Sequence, residues 1–217
     1  MPGWQRFSEE HQRPEWKLVS VALDHADPEA PRPFAAPYAF PTVVDAGGEL
    51  ARHFGFKAVP NGVLVDEAGV VRWAKFGGFS IDNADDLTPV QRFLAGEDPG
   101  PSPVPDDAYA LGALERDLVA TKVRLGRALL EGGRRDEAVA AWREALRLDP
   151  GNFTIRKQIW SVEHPEKFYP TIDFAWQAGQ LAAEREEEIA AGVCGPDGCP
   201  LPWTAAIAGS TGRHSTG

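Results

Sequence analysis

The chain has 217 residues, enough for one ordinary domain with a small one, or for two small domains. Its hydrophobic fraction of 43% is that of ordinary globular proteins, and no run of about 18 apolar residues predicts a membrane span. The formal net charge of -10 disfavours nucleic-acid partners, because an acidic surface repels phosphate backbones. Two cysteines cannot form a disulfide-rich scaffold, so packing must hold the fold together.

The N-terminal segment, MPGWQR, has no apolar signal-peptide core. For the sequence as it stands we expect a cytoplasmic protein. A signal upstream of Met1 would instead place it outside the cytoplasm.

The first 95 residues alternate between predicted helices and strands. Trp4, Phe7 and His11 fall on one face of a helix over residues 1–12. The valine- and leucine-rich segment 16–24 predicts a strand. After a proline- and alanine-rich loop, residues 40–45 predict the approach to a short helix.

That short helix, over residues 48–54, precedes a predicted hairpin. Its strands, 61–66 and 70–76, flank the turn Glu67-Ala68-Gly69, and a helix over 85–94 follows. An antiparallel hairpin after an α/β crossover predicts an α/β layer fold with a mixed sheet.

A proline-rich segment, GEDPGPSPVPDD, covers residues 96–107 and predicts a linker, because proline continues neither helices nor central strands. The sequence therefore predicts a first domain over 1–95 and a helical segment over 108–191. A small, polar tail covers 192–217 and contains both cysteines.

The residues around Pro60 carry a resemblance to a known family. The run FKAVPNGVLVD, followed by EAGVV, resembles the G-V-P-T-x-x-x-I-D-x-x-G-x-I segment of TlpA/ResA-type thioredoxin-like proteins. The resemblance implies a thioredoxin-like fold for residues 1–95. It also implies a cis Val59–Pro60 bond, whose backbone would form the wall of a groove that binds an incoming chain.

The same resemblance exposes a departure. The family's W-C-x-x-C dithiol is absent, since Trp4 is not followed by cysteine and no cysteine precedes Cys194. The strand and turn that carry the dithiol would lie before Met1. Two explanations are open: the sequence begins inside the thioredoxin-like domain, or the protein is short and its first domain has lost the redox activity. We favour the first. The missing strand is central in the family's sheet, so its loss would leave unpaired backbone groups and lower stability.

Residues 125–150 resemble a tetratricopeptide (TPR) repeat, a helix–turn–helix of 34 residues. Small residues would let the two helices approach, larger ones would fill the space between them, Gly132-Gly133 would form the turn and Pro150 would end the second helix. The matching positions are Leu125, Gly126, Leu129, Ala138, Trp142, Ala145 and Pro150. Such helices would bind a peptide or a second copy of the chain. The alternative is that they only pack against neighbouring helices.

Further helices are predicted beyond this repeat. Asn152 predicts the cap of one, and another is predicted over 171–190, with Ile172, Ala175, Trp176, Gly179 and Ala182 near one face. In the intervening HPEKFYP stretch, we expect His164, Phe168 and Tyr169 to pack rather than to form a surface site. The run from Glu184 to Glu188 predicts a solvated face.

Cys194 and Cys199 flank Gly-Pro-Asp-Gly, whose turn chemistry would let the two sulfurs meet in a disulfide. They are the candidate redox pair, and an exposed pair with no defined role is the alternative. Two cysteines fall short of the four ligands of a zinc site, and His11, His25 and His53 show no metal spacing. We expect no cofactor or metal.

Two hypotheses for function follow. The first is a thiol–disulfide oxidoreductase or antioxidant of the thioredoxin-like superfamily, acting on protein thiols or disulfides, with the usual dithiol absent from this chain. Reductase and peroxidase chemistry both remain open. The second is a non-catalytic interaction module that combines a redox-dead thioredoxin-like domain with TPR helices.

Overall fold

The computed structural model describes residues 2–11, 13–103 and 111–192, and the chain separates into two compact units, Met1–Asp106 and Asp107–Gly217. Of the described residues 51% are helical and 8% lie in strands, so the protein is mixed α and β with helix predominating. The first unit contains α1 (Pro2–Glu10), β1 (Ser20–Ala22), α2 (Arg32–Ala35), β2 (Thr42–Val44), α3 (Glu49–Phe54), β3 (Gly62–Val65), β4 (Val71–Lys75) and α4 (Ala84–Leu94). The second contains α5 (Ala113–Glu131), α6 (Arg135–Leu148), α7 (Phe153–Glu163), a 3₁₀ turn (Pro165–Lys167) and α8 (Phe174–Ala190).

The strands of the first unit form two separate sheets of two strands each, in place of the expected single mixed sheet. β1 and β2 pair in parallel, with Ser20 opposite Thr42 and a 2.6 Å hydrogen bond between their hydroxyl oxygens. β3 and β4 pair antiparallel. The predicted strand over 16–24 shortens to Ser20–Ala22, and residues 42–44, expected as an approach to a helix, are its partner strand. Pairing between segments 22 residues apart is not a local property, so alternation along the sequence does not reveal it.

The predicted hairpin is confirmed, and the carboxylate of Asp66 organises its turn. It accepts hydrogen bonds from the backbone N–H groups of Val70 (2.8 Å) and Ala68 (3.0 Å) and from Arg72 Nε (2.7 Å). The Val70 N–H contributes most to lowering the pKa of Asp66 below its usual 3.8. Gly69 adopts φ 78°, a left-handed conformation that glycine takes without steric cost.

Aromatic residues dominate the core of the first unit. Phe7, Trp73, Phe79 and Val90 are buried together, and six half-buried residues pack against them: Trp4, Trp16, Leu64, Ile81, Leu87 and Leu94. α1 contributes Trp4 and Phe7, and His11 stacks on Phe7 with ring centroids 4.1 Å apart. The amphipathic face predicted for residues 1–12 is therefore confirmed.

In the second unit, α5 and α6 form the predicted helical hairpin. Gly126 lies against the indole of Trp142, which is fully buried and donates from Nε1 to the carbonyl oxygen of Val123 at 3.0 Å. Ala138 and Ala145 are also fully buried. Leu125 does not fill the space between the helices as expected but is 45% exposed, because it lies about 100° around α5 from Gly126.

The last helices pack differently from the prediction. Asn152 caps α7 as expected, accepting from the Ile155 N–H at 3.1 Å. On α8, however, Ala175, Gly179 and Ala182 of the predicted inner face are exposed, and Gln177 is buried instead.

A buried ion cluster explains that orientation of α8. Arg156 of α7, 1% exposed, donates to the carboxylates of Glu184 and Glu188 and, at 3.0 Å, to the carbonyl oxygen of Pro150. Glu184 also accepts from Trp160 Nε1 at 2.5 Å. The solvated face expected for Glu184 to Glu188 is thus wrong for these two glutamates, since both are half-buried and bind the same buried guanidinium.

Candidate functional site

The turn that precedes β3 contains the predicted binding residues Val59 and Pro60. Their peptide bond is cis, as the resemblance leads one to expect, and both residues are exposed, Val59 to 42%. An exposed turn with accessible backbone can receive an extended chain. The role of Val59 and Pro60 in binding nevertheless stays a prediction.

Phe79 joins this turn to the first helix. Its backbone N–H donates to the carbonyl oxygen of Pro60 at 3.1 Å, and its ring lies 5.4 Å from the indole of Trp4 in the first turn of α1. On the other side, Gly62 lies directly beneath the ring, where a Cβ would come within 2.5 Å of Phe79 Cε1. The Pro60 turn therefore contacts the backbone of Phe79, and the N-terminal turn of α1 contacts its buried ring.

The loop after β4 that positions Phe79 is held by two side chains. Asn61 Oδ1 accepts from the Gly77 N–H at 2.7 Å, directly beside Pro60. The carboxylate of Asp86, 2% exposed, accepts from the Ser80 N–H at 2.9 Å and from Lys75 Nζ at 2.6 Å. Burial alone would raise the pKa of Asp86, but the hydrogen bonds from Lys75 and Ser80 outweigh it and hold this pKa below 3.8.

An uncovered apolar surface lies on the parallel sheet of the first unit. Val21 and Val43 face each other across β1 and β2 and are 40% and 50% exposed, and Val19 is 48% exposed. Valine on a strand is normally covered on at least one face, so this part of the sheet is available for contact with another chain segment.

An open cleft of about 450 Å³ lies elsewhere in the first unit. Its lining includes Arg13, Trp16, Lys17, Phe40 and Pro41. It contains none of the residues that the sequence singled out as a site.

The candidate redox pair, Cys194 and Cys199, lies outside the described residues. Of the histidines, His25 is buried with Nδ1 2.9 Å from the carbonyl oxygen of Ala46, and His164 packs on Trp176 beside the buried Phe168. The packing role expected for His164 and Phe168 is therefore confirmed. Across residues 2–11, 13–103 and 111–192, no three or more His, Cys, Asp or Glu residues cluster as metal ligands. Within those ranges no helix has the length and apolar character needed to cross a membrane.

Comparisons of this chain with protein-family models, curated proteins and solved structures found no match.

Sequence reasoning identified Pro60 but missed Phe79, Gly62 and Asp86. Gly62 stands at the start of an apolar strand, where glycine often marks a close approach of another group. Asp86 stands in the first turn of α4, where an acidic residue is ordinary and gives no sign of its partners. Their common role, supporting the Pro60 turn, depends on contacts between segments distant in sequence.

Proposed function

We propose that the protein acts in thiol–disulfide exchange, as a thiol–disulfide oxidoreductase or antioxidant whose first unit is a thioredoxin-like fold that binds the substrate chain. The observation that carries the proposal is the contact of Phe79 with both the Pro60 turn and the first turn of α1. This supports a role for the turn as one wall of a groove beside a helix N-terminus, where backbone N–H groups stabilise a thiolate. The exposed backbone beside Pro60 would then hold an extended substrate.

The usual dithiol of such a groove is absent from this chain, and its cysteines are Cys194 and Cys199. In the proposed reaction one of them, as thiolate, attacks a substrate disulfide and releases the first substrate sulfur as a thiolate. The other cysteine then attacks the mixed disulfide and releases the second substrate sulfur. Substrate gains two electrons, and the protein leaves with a Cys194–Cys199 disulfide that an external dithiol must reduce.

The test is insulin reduction by the full chain with dithiothreitol as the electron source. We expect turnover above the dithiothreitol background, lost in the C194S/C199S double variant. Without dithiothreitol, the single serine variant that retains the attacking cysteine should accumulate a mixed disulfide with substrate, detectable by mass as a covalent adduct. If the parent chain and the double variant give the same rate, Cys194 and Cys199 take no part in exchange.

The second candidate is a non-catalytic interaction module, in which the first unit and TPR-like helices bind a protein partner. The exposed valines of β1 and β2 and the exposed Leu125 of α5 favour it, because both surfaces are apolar and uncovered. Two results together would favour this function over the first. The chain would show no insulin reduction, and both the parent chain and the C194S/C199S variant would bind a protein partner without forming a covalent bond to it.

A further inference from the structure

A leucine stripe runs along the exposed side of α5. Leu114, Leu118 and Leu125 are 78%, 42% and 45% exposed and lie within about 40° of one another around the helix axis. The opposite side of α5, with Val119 and Val123, is buried. The stripe is thus a second apolar face of a helix that already uses its first face to pack within its own unit.

The charged residues beside this stripe change sign along the helix, from acidic to basic. On one flank Asp117 precedes Arg124, and on the other Glu115 precedes Lys122, each pair one heptad apart. Both acidic residues therefore lie in the N-terminal half of the stripe and both basic residues in the C-terminal half.

We propose that the leucine stripe binds the same stripe of a second copy of this chain, with the two α5 helices antiparallel. A two-fold axis then places Leu114 of each copy against Leu125 of the other, with Leu118 against Thr121 in the two central layers. In an antiparallel pair equivalent flanks face each other, so Asp117 meets Arg124 of the second copy.

The other flank adds a further pair in the same arrangement. Glu115 meets Lys122 of the second copy, which already binds Glu144 of its own chain and would then bridge two carboxylates. Parallel helices would instead pair only Asp117 with Lys122 across the interface, leaving Glu115 and Arg124 without opposite charges. Charge complementarity therefore selects the antiparallel arrangement.

The stripe is short, about 16 Å from Leu114 to Leu125, so the interface is small. Interfaces of this size support weak association, and we expect a dissociation constant in the micromolar range or above.

Sedimentation equilibrium of the full chain at several concentrations tests the proposal. We expect a reversible monomer–dimer equilibrium that L118E weakens at least tenfold, because the substitution places two carboxylates in the two central layers. The matched control is F174E, which alters an equally apolar residue, 68% exposed, on α8 and should leave the dissociation constant unchanged. Both substitutions are at the surface, and far-UV circular dichroism verifies that the helices form.

A charge exchange then tests the direction of the helices. D117R should weaken dimerisation by setting the introduced guanidinium against Arg124 of the second copy, and D117R/R124D should restore it. With parallel helices, the double variant would stay weak, since the introduced guanidinium would face Lys122. A chain that remains monomeric at all concentrations, an L118E variant that dimerises like the parent, or a double variant that fails to recover would each overturn the proposal.

Discussion

Phe79 and Asp86 both stabilise the loop after β4 that contacts the Pro60 turn in the first unit. The ring of Phe79 packs on Trp4 of α1 and its backbone N–H binds the Pro60 carbonyl oxygen, while Asp86 holds the backbone of the loop that presents Phe79. A buried carboxylate is costly without donors, so its two hydrogen bonds stabilise the native loop and exclude conformations in which Lys75 or the Ser80 N–H is left unpaired.

We predict that D86N destabilises the chain by about 1–3 kcal/mol at neutral pH, because the amide loses the charge that Lys75 and Ser80 bind. Chemical denaturation, followed through the tryptophan fluorescence of the chain, to which the buried Trp73 of the first unit contributes, measures the effect. D85N is the matched control: its exposed carboxylate stands in the same helical turn, so the midpoint should shift much less. Equal shifts for both variants would contradict the role given to Asp86.

The difference in stability between the parent chain and D86N should depend on pH, and the direction of that dependence follows from the pKa of Asp86. The folded-state pKa of Asp86 lies below its usual 3.8, so between the two values the unfolded chain binds more protons than the folded one. The contribution of Asp86 is therefore complete well above pH 3.8 and is lost as the pH falls through the folded-state value. The stability gap between parent and D86N should be constant from about pH 7 to about pH 5 and should shrink below the usual aspartate pKa.

Contacts between elements depend on small residues at α5 and α6, and on charges at α7 and α8. The helices of the first pair come together because Gly126 leaves room for Trp142. Those of the second pair are joined by Arg156, whose carboxylate partners lie 28 and 32 residues further along the chain. Removing Arg156 would leave two half-buried carboxylates without their shared guanidinium, so the cluster favours this orientation of α8.

Two glycine-to-alanine substitutions separate helix propensity from packing. In G126A the new Cβ would overlap the buried indole of Trp142, and we expect a loss of about 1–3 kcal/mol despite the better helix propensity of alanine. In G179A no atom lies within 4 Å of the new Cβ, so propensity alone should raise stability by up to about 1 kcal/mol. Denaturation followed by far-UV circular dichroism measures both. Shifts of the same sign would contradict the close approach at Trp142.

For the whole molecule, the sequence correctly predicted those elements whose formation depends on residues close together in the chain. Alternating apolar residues around Glu67-Ala68-Gly69 indicated the β3–β4 hairpin, and the Gly132-Gly133 turn with Pro150 bounded α6.

The sequence failed where distant residues decide the outcome. Gln177 faces inward because Arg156 binds Glu184 and Glu188 of the same helix, and a pattern of apolar residues contains no sign of this. Leu125 was predicted to lie on the wrong side of α5. The pattern of a repeat gives the spacing of its residues, but it does not show which element of the fold packs against each side of the helix. The separation of the strands into two sheets was likewise hidden, because each strand of the parallel pair has three residues.

Two sheets of two strands have consequences for how the protein behaves in solution. Within the described residues each strand has one strand neighbour; the Ala74 N–H of β4 is bound by Ser102 Oγ at 2.9 Å, whereas the parallel sheet, with its exposed valines, ends in backbone that another molecule could extend. Mutual repulsion from the net charge of -10 opposes such stacking at neutral pH. We therefore expect light scattering to rise, with binding of a cross-β dye, as the pH approaches the isoelectric point of about 5.0, and added salt to promote the same assembly at neutral pH.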